Sequence, residues 1–395
     1  MMKKIYLDYA ASTPVDPRVV AAMEPFFLEH FGNPKAIHSF GQEAMAAIDH
    51  AREKIARALG ADFREIIFTG SATEANNLAL RGTFFSFKEG FREAESRAPR
   101  LVISSIEHES IEKTASDLER SGCEVVRVPV DEQGTIDIRA LRAAINERTF
   151  LVSIMYANNE IGSVQPIARI AEAISDFKKE RQSRTYPLFH TDAVQAFQFL
   201  DCDVRRLGAD MMTFSSHKIY GPKGVGGFYV GGNAAGNLRP IITGGGQEFS
   251  LRSGTENVPI IVGFGKAVEL LFPKKESEAK RIANLRAHFV DSLKEVFPEI
   301  VVNGGSREIL PNIANITFPH WSAGDVLARF DLRGLAVGTS SACASRRAVP
   351  SRTLRAMGVS DERAAGSIRF SFGRPTTENE IKRALAIIKS ALNNK

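Results

Sequence analysis

Phe150-Leu-Val-Ser-Ile-Met155 has the length and apolar content of a buried strand, and Leu188-Phe-His-Thr-Asp192 repeats that signature. Between them, Pro166 to Lys179 is amphipathic and opens on a proline suited to the first turn of a helix. The same alternation extends outward from this pair. Glu65-Ile-Ile-Phe-Thr69, Leu101-Val-Ile-Ser-Ser105 and Glu124-Val-Val-Arg-Val-Pro-Val130 read as strands, and Phe40 to Leu59 places Ala44, Ile48, Ala51, Ile55 and Leu59 on one helical face. Strands alternating with helices predict an α/β fold, a mainly parallel sheet with helices on both faces. In such sheets ligands gather at the carboxyl ends of the strands. Past about Gly265 the texture changes to a long charged helix (Lys274 to Val296), strands at Ile313 to Phe318 and Ser367 to Phe372, and a final helix from Thr377. That half predicts a smaller α+β domain.

The composition closes off other classes. The 395 residues are 44% hydrophobic and 25% charged, the proportions of a globular chain. Basic residues exceed acidic ones by only five and are spread along the chain, so no nucleic-acid stripe is expected. Three cysteines, Cys123, Cys202 and Cys343, show neither disulfide-framework nor CxxC spacing, which fits a reducing compartment. The first residues carry no apolar core of a signal peptide and no run is long enough for a membrane span, so a cytoplasmic protein is expected.

Chemistry concentrates where predicted strands end. In Phe214-Ser-Ser-His-Lys218-Ile-Tyr-Gly-Pro-Lys-Gly-Val-Gly-Gly227, Lys218 follows a strand and precedes a glycine-rich turn. It is either a solvated charge or, with Ser215, Ser216 and His217 beside it to hold a phosphate, the amine that binds an aldehyde cofactor as a Schiff base. Asp192 ends an apolar strand, where an unpaired carboxylate is costly to bury. It caps the next helix or pairs with a protonated pyridine nitrogen, keeping that ring cationic. Phe68-Thr-Gly-Ser-Ala-Thr-Glu-Ala-Asn76 runs from strand through a small-residue turn into a helix whose first N–H groups suit a phosphate, and Ser71 with Glu74 spells a capping box. In Ile106-Glu-His-Glu-Ser110, His108 sits just past a strand end, either structural or placed to stack on a ring or shuttle a proton.

These residues together resemble the pyridoxal-phosphate (PLP) enzymes of the class V aminotransferase group, and more narrowly the cysteine desulfurases of nitrogenase-maturation and iron-sulfur-cluster type. The resemblance is carried, in order along nearly the whole chain, by Tyr6-Leu-Asp-Tyr-Ala-Ala-Ser-Thr-Pro14, Phe31-Gly-Asn-Pro34, Thr73-Glu74, Glu107-His108, Asn158-Asn-Glu-Ile-Gly162, Asp192, Ser215 to Lys218, Arg252-Ser-Gly-Thr255, Ser341-Ala-Cys343 and Ser367-Ile-Arg-Phe370. It implies the fold type I PLP-dependent transferase architecture. A large domain would span residues 15–264, and a smaller one would combine 1–14 with 265–395. Lys218 would carry the cofactor, Asp192 would pair with its ring nitrogen, His108 would stack on the ring and serve as acid or base, and Gln195 would approach the ring hydroxyl. Ala72, Thr73, Ser215 and His217 would hold the phosphate, with Thr255 reaching in from the other subunit of a homodimer. Arg369, Asn158 and Asn33 would grip the substrate carboxylate. Asn158 thereby borders cofactor and substrate alike, and no metal is implied.

Cys343 lies in Val337-Gly-Thr-Ser-Ser-Ala-Cys-Ala-Ser-Arg-Arg-Ala-Val-Pro350, small and polar residues with no hydrophobic period. By resemblance it is the nucleophile that takes sulfur from L-cysteine as a persulfide, leaving L-alanine, for an iron-sulfur or thio-modification acceptor. Cys123 and Cys202 lack such surroundings and are expected to be bystanders. Where the family often has glycine this chain has Ser340, and Arg346-Arg347 follow the cysteine closely. A selenocysteine lyase, a transaminase and a catalytically silent scaffold on the same fold are the alternatives.

Overall fold

The computed structural model describes residues 4–90, 98–305, 308–339 and 351–393. Its centre is a sheet of seven strands: β2 (Ile66–Thr69), β3 (Arg100–Ser104), β4 (Glu124–Val128), β5 (Thr149–Ser153), β6 (Leu188–Asp192), β7 (Met211–Ser215) and β8 (Gly226–Val230). Their spatial order is β2-β8-β7-β6-β5-β3-β4. The run from β7 to β4 is parallel throughout, while β8 is antiparallel to both of its neighbours.

Successive residues of these strands enter opposite cores. Leu188 packs on one face and Phe189 on the other, as do Met211 and Met212, and Leu101 and Ile103 oppose Val102. Both faces are therefore dry, which is why the strands read as continuous apolar runs without polar alternation. On one face the helix Ser39–Leu59 lies against Val258–Leu271, so close that a Cβ on Gly265 would stand 2.7 Å from Ala51.

A second sheet has the order β1-β11-β12-β10-β9, from β1 (Ile5–Leu7), β9 (Val301–Asn303), β10 (Ile313–Thr317), β11 (Leu335–Thr339) and β12 (Ser367–Ser371). β1 pairs in parallel with β11, so the first described residues are built into a sheet otherwise made from the last third of the chain.

Two boundaries differ from the sequence reading for physical reasons. β4 stops at Val128 because Pro129 has no N–H to give the ladder. β5 ends at Ser153, after which the N–H of Met155 turns to the Glu107 carboxylate. Gly226 and Gly227 belong to strand β8 and not to the turn after Lys218. A Cβ on Gly227 would stand 2.1 Å from the Phe214 ring, so glycine here serves close packing. The bend itself is made at Tyr220 (φ 67°) and Gly224 (φ 86°).

Candidate active site

The carboxyl ends of β3, β5, β6 and β7 converge on a cavity of about 980 Å³. Ala72, Thr73, His108, Asp192, Gln195, Ser215, His217, Lys218 and Arg369 all line it. Asn158 does not. Its side chain is fully buried in its own turn, donating to the Ile106 carbonyl (3.1 Å) and accepting from the N–H groups of Glu160 (2.8 Å) and Ile161 (3.1 Å). Asn33 and Thr255 are exposed and outside the lining. Cys343, Ser340, Arg346 and Arg347 fall outside the described residues.

The Lys218 ammonium donates to the carbonyls of Ala10 (2.5 Å) and Ala11 (2.8 Å). Thr13 continues this clamp, its hydroxyl donating to the His217 carbonyl (2.9 Å) and accepting from the N–H of Tyr220 (2.8 Å). Burial, reinforced by the Lys218 charge, pushes the His217 imidazole down to about 4, so it is neutral. Asp192 is buried, with Oδ2 accepting from Asn76 Nδ2 (2.8 Å) and Oδ1 from the Val194 N–H (3.0 Å). The second bond ties the carboxylate to the turn that follows its strand; it caps no helix, the next one being Val204–Leu207 with Asp203 at its start.

His108 begins the helix Glu109–Arg120, and its Nδ1 lies 2.8 Å from Ser110 Oγ and 3.2 Å from the Ser110 nitrogen. Burial lowers its pKa, partly opposed by Asp192 and aided by Lys218. The turn carrying it is held by Arg352, also in the cavity lining, which donates to the carbonyls of Ser105 (2.8 Å) and Glu107 and pairs with Glu112 (3.2 Å). Glu107 is fully buried: Oε1 accepts from Ser104 Oγ and Met155 N–H, while Oε2 has no partner. Burial pushes its carboxyl up to about 8. On the opposite wall the Arg369 guanidinium donates to Asp8 Oδ1 (2.8 Å) and the Asn159 carbonyl (2.9 Å).

The expected capping box forms only in part. Ser71 Oγ accepts from the Glu74 N–H, but the Glu74 carboxylate takes the Gly70 N–H (2.9 Å) and Arg252 Nε (2.8 Å) instead of closing on Ser71. The competing guanidinium, from the Arg252-Ser-Gly-Thr255 segment, draws the side chain outward. Sequence reasoning also gave no role to Asn76 and Ser110, although both stand in the quoted motifs. It gave none to the Ala10 and Ala11 carbonyls, Asp8 or Glu107, although these also stand in the quoted motifs, and none to Arg352, which no quoted motif contains.

Residues 5–384 match the family described as Aminotransferase class-V. The chain belongs to that family. Among its relatives it is 39% identical to cysteine desulfurase IscS of Dictyoglomus turgidum, across 98% of this chain and 94% of that one. It is 41% identical to cysteine desulfurase IscS 1 of Archaeoglobus fulgidus, across 98% and 96%. Of solved structures, a NifS-like protein superposes with a TM-score of 0.90 at 35% identity over 99% of both chains. SspA in complex with cysteine gives 0.80 at 37% identity, over 93% of this chain and 98% of that one.

Enzymes of this class V family work with pyridoxal 5′-phosphate, and the residues present fit that group. Asp192 offers a buried anion to a ring nitrogen and Lys218 an amine at the cavity wall. Beside Ser71, Ala72 and Thr73, a Cβ on Gly226 would stand 2.4 Å from the Ser71 carbon and 2.6 Å from the Ala72 nitrogen, so β8 runs directly under the helix start. The first N–H groups of a helix have no partner within it and suit a phosphate. When bound, the cofactor supplies an aldehyde that links to amines and a ring that withdraws electrons from the substrate. Cys123 and Cys202 are buried away from this lining, and burial pushes both thiols up to about 12. Among the described residues, no helix is long and apolar enough to cross a membrane, and no cluster of His, Cys, Asp and Glu would hold a metal ion.

Proposed function

We propose that this chain is a cysteine desulfurase that works as a homodimer, converts L-cysteine to L-alanine and carries the removed sulfur as a persulfide on Cys343 for an iron-sulfur or thio-modification acceptor. The observation that carries the reading is the convergence of Lys218, Asp192, His108 and Arg369 on one cavity at the strand ends. In this reading the Lys218 amine anchors the cofactor and moves the substrate α-proton at Nζ. Asp192 holds the ring charge, Gln195 borders its hydroxyl, and Ala72, Thr73, Ser215 and His217 receive the phosphate. Arg369, fixed by Asp8, meets the substrate carboxylate with the planar fork suited to it. The Cys343 thiolate attacks the substrate sulfur. One carbon–sulfur bond breaks, one sulfur–sulfur bond forms, and the proton lost by the thiol returns to the carbon that becomes the alanine methyl.

The tether supports this reading. In the sequence Cys343 comes four positions after Thr339, the last residue of β11. There Gly338 is paired with Arg369 of the cavity wall. The division into a large domain (15–264) and a small one (1–14 with 265–395) belongs to the same proposal, as does a reducing, cytoplasmic setting. The dimer is supported by exposed Phe31, Ile37 (92% exposed) and Phe40, beside a loop that Lys35 ties to Gly245. Thr255 is exposed and would reach the partner's phosphate site. After a pulse of cysteine, mass spectrometry should find one added sulfur on the peptide holding Cys343, with alanine released. Sulfur on Cys123 or Cys202 instead would overturn the assignment.

A further inference from the structure

Behind His108 lies a chain of hydrogen bonds that the proposed reaction does not require. Asn76 Nδ2 stands 2.8 Å from Asp192 Oδ2 and 2.8 Å from Ser110 Oγ, and Ser110 Oγ stands 2.8 Å from His108 Nδ1. Asn76, Ser110 and Asp192 are buried in the wall of the cavity. Counting protons settles the direction of each bond. The two hydrogens of the Asn76 amide go one to Asp192 and one to Ser110, because the carboxylate and the hydroxyl oxygen are its acceptors. With Oγ accepting from Asn76, the Ser110 hydroxyl proton is free to be donated to His108. The Ser110 backbone N–H, which can only donate, points at the same ring nitrogen at 3.2 Å. Both donors meet Nδ1, so Nδ1 accepts and the single proton of the neutral ring resides on Nε2.

We infer that Ser110 and Asn76 are positioning residues that fix His108 in the tautomer protonated at Nε2 and join it to the Asp192 carboxylate. The ring thereby offers the cavity a hydrogen-bond donor at Nε2, aimed at substrate or cofactor atoms on which negative charge develops. The consequence for turnover rests on the proposed function and on the part that the resemblance gives His108 in it; the tautomer does not. The charged groups acting on the ring are Asp192 and Glu109, which favour its protonation, and Lys218 and Arg352, which oppose it. Burial acts in the second sense and favours the neutral ring, whose tautomer decides which nitrogen donates a hydrogen bond to the cavity.

Nitrogen NMR of holoenzyme labelled with ¹⁵N-histidine tests this directly, with His108 assigned by its loss in His108→Gln. Wild type should show a pyrrole-type Nε2 and a pyridine-type Nδ1. Ser110→Ala should leave only the backbone donor, mix the tautomers, lower kcat for alanine formation by about 3- to 10-fold and leave the KM for cysteine unchanged. Ser110→Thr should restore both signals and rate. A wild-type proton on Nδ1, or an Ser110→Ala spectrum and rate identical to wild type, would overturn the inference. Should His108→Gln form alanine at the wild-type rate while the Nε2 signature holds, the role given to His108 fails and the tautomer assignment stands.

Discussion

Arg52 and Glu248 form a two-pronged ion pair, Nη1 to Oε2 and Nη2 to Oε1 both at 2.8 Å, with the side chains only 5% and 3% exposed. Glu248 Oε2 also accepts the Phe68 N–H of β2, and the guanidinium lies over the rings of Phe63, Phe68 and Phe249. The pair anchors an unusual piece of backbone. Glu248, Phe249 and Ser250 hold φ of 46°, 54° and 67°, three successive non-glycine residues in the left-handed region. Each costs roughly 1–2 kcal/mol.

Removing one partner leaves the other charge buried and alone. Arg52→Ala should therefore lower the free energy of unfolding by about 3–5 kcal/mol, read from the urea midpoint. Ser250→Gly, which tolerates the same φ, should lose nothing, whereas Ser250→Val should lose about 1–2 kcal/mol or more. An Arg52→Ala midpoint equal to wild type would show that the strained turn is held by other contacts.

Gly226→Ala inserts a methyl into the backbone of Ser71 and Ala72, neither of which can rotate away. The strand and the helix start must part, at a cost of about 1–3 kcal/mol. PLP affinity of the refilled apoenzyme should fall by at least ~10-fold, measured by the cofactor's absorbance on titration. Retained affinity would mean that the phosphate is held elsewhere.

Two buried groups give stability opposite slopes with pH. The Glu107 carboxyl is pushed up from its ordinary 4.5 to about 8 by burial, so its contribution is whole below 4.5 and is lost as pH rises toward 8. His190, between Ser153 and Thr213 hydroxyls, is pushed down from 6.5 to about 3 by burial. Its contribution is whole above 6.5 and is lost as pH falls toward 3. Glu107→Gln keeps an acceptor for Ser104 and Met155 but cannot ionise. Its stability relative to wild type should rise between about pH 5 and pH 8, by no more than ~1.4 kcal/mol per unit. Urea unfolding at three pH values checks this, and a flat difference would show that Glu107 does not stay an acid in the fold.

Ile37→Lys, alone or with Phe31→Ser, places charge on the exposed apolar patch beside the Gly245 loop. Sedimentation should show a shift toward monomer, with PLP released faster because Thr255 no longer meets a partner's site. A dimer of undiminished stability would move the proposed interface elsewhere on the surface.

The parallel half of the large sheet was legible because strands buried on both faces spell unbroken apolar runs that end on conspicuous polar residues, and this exposed Asp192, His108 and Lys218 as candidates. β8 was hidden by Gly226 and Gly227, which suggest a turn until Phe214 and the helix start are seen pressing on them. The hold on Lys218 was illegible for another reason: carbonyls of Ala10 and Ala11 carry no side-chain signature, and they lie some two hundred residues earlier in the chain. Asn76 and Ser110 were in view, but the sequence does not say which face of a helix meets a site. Asn158 stands outside the lining because its side chain serves its own turn, which the sequence alone does not distinguish from a ligand contact.

The parallel pairing of β1 with β11 sets an order on biosynthesis. Ile5 emerges from the ribosome more than three hundred residues before its partner Leu335. At roughly 5–20 residues per second that wait is on the order of 20–60 seconds. Through it the segment that supplies Asp8, Ala10 and Ala11 has no sheet edge to join. The Asp8–Arg369 pair is consequently assembled after β11 and β12 have been made, so a nascent chain whose parallel sheet has already folded completes that wall of its cavity afterwards.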